Sequence, residues 1–123
     1  MGHRMIRQVR HLIASSLDGA EWPVYDYKPD DITQLPCVVV DRPTIAVDVQ
    51  WYTATVPIVV IGLRDGSEGS QTDLDDMASA IAGMLAGPDL AVNSIEPATA
   101  TVAEMTYPAY QITVSCGITY CQS

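Results

Sequence analysis

Apolar residues recur at helical spacing near the start of the chain: Ile6, Val9, Leu12, Ile13 and Leu17 share one arc of a helical wheel. Arg4, Arg7 and Arg10 are read on the opposite arc, so residues 5–17 predict an amphipathic helix with a basic outer stripe. It should close near Asp18-Gly19, where glycine takes the left-handed conformation of a C-cap. From Cys37 the pattern changes to extended chain. Cys37-Val38-Val39-Val40 predicts a short buried strand between Pro36 and Pro43. Val49 to Leu63 predicts a long strand that alternates loosely at first and then becomes apolar on both faces, as a central strand does. Pro57 removes a ladder donor there, so an edge, a bulge or a break is expected near its middle.

The loop Arg64 to Ser70, RDGSEGS, reads as a turn with two glycines. After it Leu74, Met77, Ala78, Ile81, Met84 and Leu85 give the strongest helical signal in the chain. Ser70 or Thr72 is the expected cap, Asp73, Asp75 and Asp76 suit the positive end of the helix dipole, and Gly87-Pro88 ends the helix. Two further strands follow, about Leu90 to Met105 and Ala109 to Cys121, with the turn expected at Tyr107-Pro108. In the last one Tyr110, Ile112, Val114, Cys116, Ile118 and Tyr120 alternate with polar or small residues, so one face is buried. This order predicts an α+β fold: a mainly antiparallel sheet of four to five strands with two helices packed on one face. A chain of 123 residues is expected to form a single domain, residues 1–123, with a core that needs no metal or disulfide.

Charge narrows the function classes. Fifteen acids against six basic residues give −9 overall, yet Arg4, Arg7 and Arg10 put +3 into the first ten residues and leave −12 on the remainder. An acidic body is unsuited to gripping nucleic acid or an anionic membrane. A basic end on an acidic body can instead attract copies of itself in a head-to-tail sense. Cys37, Cys116 and Cys121 form no CxxC pair, and a reducing, cytosolic folding compartment fits them. The first residues lack the apolar core of a signal peptide, and the longest apolar run, Val56 to Leu63, is too short to span a bilayer.

The search for catalytic chemistry finds little. Asp30-Asp31 with Asp26 nearby can be read as general acid and base or as metal ligands, but His3 and His11, the only histidines, both lie on the first helix. Pro29-Asp30-Asp31 is better explained as a β-turn. The loop GLRDGSEGSQTDLDD follows a strand and opens a helix, but its glycines match no nucleotide-binding pattern and five acids flank it. Read as a calcium loop from Asp65, it has Ser70 where the invariant glycine belongs. No catalytic residue, cofactor or metal is therefore expected. The arginine stripe reads equally as a solvated face or as a contact surface.

The run VYDYKPDDITQLPCVVVD, the long strand after it, the helix DLDDMASAIAGML and the closing YQITVSCGITY strand together resemble the tail terminator (tail completion) proteins of long-tailed phages, in particular phages of actinobacteria. The similarity runs over nearly the whole chain and is one of element order. It implies a small structural virion protein, not an enzyme. Such a subunit forms a homo-hexameric ring at the head-proximal end of the tail, caps the tail tube, ends its polymerisation and provides the joint to the head-tail connector or neck proteins. DNA would meet it only in transit through the bore, and assembly would take place in the host cytoplasm. Expected contact residues are Arg4, Arg7 and Arg10, then Tyr25, Asp26, Tyr27, Asp30 and Asp31, and finally Arg64, Asp65 and Glu68. Three other readings stay open at this point: a neighbouring neck subunit, a small metal-dependent enzyme using Asp26, Asp30 and Asp31, and a binding module that takes a partner strand at the edge near Pro57.

Overall fold

A strand that is apolar on both faces needs hydrogen bonds on both edges, and residues 51–61 obtain them at the centre of the sheet. In a computed structural model that describes residues 2–25, 35–47, 51–63, 68–87, 90–102 and 104–119, the elements run in a simple order. They are α1 (Gly2–Ser16), β1 (Val24–Tyr25), β2 (Cys37–Val40), β3 (Thr44–Val47), β4 (Trp51–Ile61), α2 (Glu68–Leu85), β5 (Ala91–Val102) and β6 (Met105–Thr119). The fold is α+β: a six-stranded sheet in the order β1-β2-β4-β6-β5, with β3 paired to β4 beside β2. All pairings are antiparallel except β1 with β2.

The prolines explain how this sheet tolerates missing donors. Asp41 N–H donates to Pro57 C=O at 3.0 Å, so the polar edge of Pro57 faces residues 41–43, where β2 has ended and β3 has not begun. Val40 pairs with Ile58 and Thr44 with Thr55, so Asp41, Arg42 and Pro43 stand opposite only Val56 and Pro57. The break predicted from Pro57 lies in the partner strand, and β4 itself continues. Pro108 C=O accepts from Gly62 N–H at 2.9 Å, so its own missing N–H faces the region just past the end of β4. Pro97 pairs with Tyr110, which turns its own polar groups toward β4, and the missing donor of Pro97 points to the free edge of β5.

Both helices cover one face of the sheet. Val9, Ile13 and Leu17 of the α1 segment and Leu74, Met77, Ile81 and Leu85 of α2 close over Val38, Val40, Ala54, Val56, Ile58, Val60, Ile112 and Val114. These residues fall at the helical and alternating spacings read from the sequence. Gly19, at φ 87°, ends α1 as the C-cap reading required. At Gly62 an added Cβ would sit 3.1 Å from Leu74 Cδ1, so the bare backbone lets the start of α2 seat against the end of β4. No described helix packs on the opposite face. There Cys37, Val39, Ile61, Val102 and Ala109 form a smaller buried cluster, with half-buried Tyr25, Leu35 and Tyr107 against it. Toward the other end of this face the rows turn polar, as in Thr44–Thr55–Ser115 and Pro57–Thr113–Ser94.

Three expectations are corrected, and one irregularity is added. The sheet has six strands because Val24–Tyr25 and Thr44–Val47 each pair. The hairpin between the last two strands turns at residues 103–104, and Tyr107-Pro108 lie within β6 opposite Ala100 and Thr99. α2 starts at Glu68, so Ser70 and Thr72 are inside it and neither is its cap. Asn93 is an extra residue in β5, a bulge between Val92 and Ser94, and Ser115 Oγ donates to its side-chain oxygen at 3.4 Å.

Two stability outcomes follow. Ile58→Ala, at the fully buried centre of β4, is expected to cost about 2–5 kcal/mol in urea unfolding. Glu104 holds φ 68° in the hairpin turn, so Glu104→Gly is expected to raise stability by roughly 0.5–1 kcal/mol in the same measurement.

Candidate functional site

After the Gly19 turn, the chain folds back and brings Glu21 and Trp22 beside α2. Trp22 is half-buried against the helix-side core. Opposite it, Asp73, Asp76, Met77, Ala80 and Met84 recur at the spacing of one helix ridge. Between these two walls lies a cleft of about 660 Å³, closed at its base by Leu74, Pro36, Gly62 and Leu63. Its floor is apolar, and three carboxylates, Glu21, Asp73 and Asp76, are exposed around it. Among the described residues, no Lys, Arg or His lines it, and no Ser, Thr or Cys does either. Its chemistry is that of a receptor for a cationic group with an apolar stem. A carboxylate rim supplies charge, and the Trp22 face suits a guanidinium or ammonium laid over it.

The residues expected to make contacts are dispersed. Arg4, Arg7 and Arg10 all lie in α1. Arg7 is exposed, whereas Arg10 is half-buried on the flank of the helix, with its Nε shielded and without a hydrogen-bond partner among the described residues. The wheel explains the difference: Arg10 is one turn from the Ile13 side of the apolar arc, so the three arginines do not form one straight stripe. Tyr25 belongs to β1 and packs on the uncovered sheet face instead of presenting itself in a loop. Glu68 lies in the first turn of α2. Asp26, Tyr27, Asp30, Asp31, Arg64 and Asp65 lie outside the described residues. Of the expected residues whose side chains are described, Arg7, Arg10 and Tyr25, none lines the cleft. Sequence reading missed Glu21, Trp22 and Met84 as site residues, although the row Asp73, Asp76, Ala80, Met84 was visible as one face of the predicted helix.

Metal chemistry gains no support from the described part of the chain. Among the described residues, no group of three or more His, Cys, Asp and Glu is placed to hold an ion. Residues 68–76 are helical, which is incompatible with a calcium loop running from Asp65 to Asp76. Among the described residues, no helix is long and apolar enough to cross a membrane.

One polar strap ties α2 to the sheet beyond the cleft. Tyr110 Oη donates to Asp75 Oδ1 at 2.7 Å, and this hydrogen bond, followed by desolvation and the carboxylate charge, holds the phenol pKa above its ordinary value. On the other face burial pushes the Cys37 thiol from 9.0 up to about 11. The folded chain therefore keeps this proton where the unfolded chain releases it. The stabilisation is complete below pH 9 and is lost as pH rises from 9 toward 11. The urea midpoint of the native chain is expected to fall over that window more steeply than that of Cys37→Ala, and the thiol of the folded protein should resist alkylation at pH 8.

Comparison of the chain with protein-family models and with curated proteins finds no match.

Proposed function

We propose that this chain is a structural virion subunit, a tail terminator that assembles into a homo-hexameric ring. The ring caps the tail tube, ends its polymerisation and joins the tube to the head-tail connector. The observation that carries this reading is the separation of charge: a basic α1 on a body that holds all fifteen acids. A subunit with two complementary patches in different places makes heterologous contacts, and these close into rings when the rotation between copies allows. The resemblance in element order to tail terminators, strongest in VYDYKPDDITQLPCVVVD, supplies the location at the end of a tail. An acidic ring also suits a conduit that DNA crosses without being held, because carboxylates repel phosphate. The sheet supports the assignment in a further way: one face carries both helices, while the other presents Thr, Ser and small apolar residues to a neighbour or to the bore.

Mass photometry of the purified protein, combined with electron microscopy, tests the proposal. Particles near six times the 13.3 kDa chain mass are expected, as annuli that bind tail tubes and halt their growth. A protein that stays monomeric, and neither binds tubes nor limits their length, overturns it.

A further inference from the structure

We infer that the cleft between residues 19–22 and α2 is the receptor for the exposed basic face of α1 from a second copy of this chain. The inference rests on the reading of the chain as a self-assembling subunit and names the surfaces that meet.

Charge complementarity carries it first. Among the described residues the cleft holds Glu21, Asp73 and Asp76 and no basic residue. No ion pair among the described residues engages these acids, nor Arg7 or Arg10. The chain's densest positive segment and its acid-rimmed hollow are thus both left without a charge partner among those residues. Shape is the second argument. Arg7, His11 and Ala14 are exposed along one row of α1 and form a convex ridge, while the cleft is a trough along the ridge of α2. The third argument is chemical. An arginine needs a place for its aliphatic stem as well as for its guanidinium. Met84 and Leu63 offer apolar surface for the stem, half-buried Trp22 lines the wall, and the carboxylates at the rim can accept the N–H groups. No α1 residue whose side chain is described lines the cleft of its own molecule. Residue 7 also lies about 14 Å along α1 from its Ser16 end, at about 1.5 Å rise per residue. A second copy supplies the occupant. The contact joins two different patches, so a bound pair keeps one free ridge and one free cleft for the copies that follow.

The test uses the full chain and charge reversal at exposed positions. Arg7→Glu and the pair Asp73→Lys with Asp76→Lys are each expected to weaken association by about tenfold or more, with a smaller deficit at high salt. Combining the two sets in one chain should restore part of the lost affinity. As an independent readout, Arg7→Cys combined with Ala80→Cys, in a chain carrying Cys121→Ser, should give disulfide-linked multimers on oxidation. Ala80 is exposed on the cleft wall. If the wild-type chain forms rings, the reversals leave them intact and the cysteine pair stays unlinked, the inference is overturned while the ring proposal stands. A wild-type chain that is monomeric at every concentration overturns both. A reversal variant that loses its thermal unfolding transition is set aside, and the cysteine pair decides.

Discussion

The structure depends on keeping β4 hydrogen-bonded along both edges although Pro57 in its middle has no donor to give. An interior strand with a proline is tolerated only where its neighbour offers no acceptor at that level. Here the neighbour is divided: β2 serves one half of β4 and β3 the other, with Asp41 to Pro43 spanning the interval. The division has further effects. It lets β2 lie against β4 where that strand is apolar on both faces, and so places Cys37 and Val39 in the small cluster on the uncovered side. It also puts Thr44 and Ala46 beside the polar half, where the uncovered face needs no apolar cover. One missing hydrogen atom thereby sorts the sheet into an apolar end and a hydroxyl-rich end.

The helix layer answers a different requirement. Ala54, Val56, Ile58 and Val60 are all but inaccessible, and two helices supply the apolar surface that removes them from water. The burial of this layer is the main favourable contribution to the fold. The same layer creates the cleft. Once Leu74, Met77 and Ile81 are committed to the core, the adjoining ridge with Asp73, Asp76, Ala80 and Met84 must face outward, and the Gly19 turn sets Trp22 opposite it. The hollow is thus a product of core packing, while its sign comes from the acids that the start of α2 attracts.

How far the sequence foretold this can be traced residue by residue. Periodicity located both helices and the main strands because burial writes its spacing directly into the chain, as in Leu74 to Leu85 and Tyr110 to Cys116. Pro57 pointed to an edge, a bulge or a break in its own strand; β4 instead runs on through it as an interior strand, and the interruption falls between β2 and β3. The hairpin turn was misplaced because Ala103-Glu104 carries none of the Asn-Gly chemistry that marks a tight turn, while Tyr107-Pro108 resembles one and is accommodated in β6. β1 escaped notice because two residues have no period. Arg10 departs from the expected outer stripe because the buried face of α1 spreads far enough round the helix to shield its Nε. The cleft was legible only in part: its α2 wall is a spacing, but its other wall comes from residues 19–22, and nothing in sequence says that these fold back on a helix fifty residues later.

The strand order also fixes which pairings are easiest to close. β5 and β6 are adjacent in the chain and meet across residues 103–104, so their hairpin costs little loop entropy. β4 and β6 bring Trp51 against Thr119 and Ile61 against Ala109, with all of α2 and β5 enclosed in the loop between them. That central junction is the most expensive closure in the molecule, and it is also the seam on which both helices rest. A chain built this way favours fast local assembly of its last third, followed by a slower search in which β4 finds its place. The register of that search is set by the side of the sheet on which Ile58 and Val60 must land.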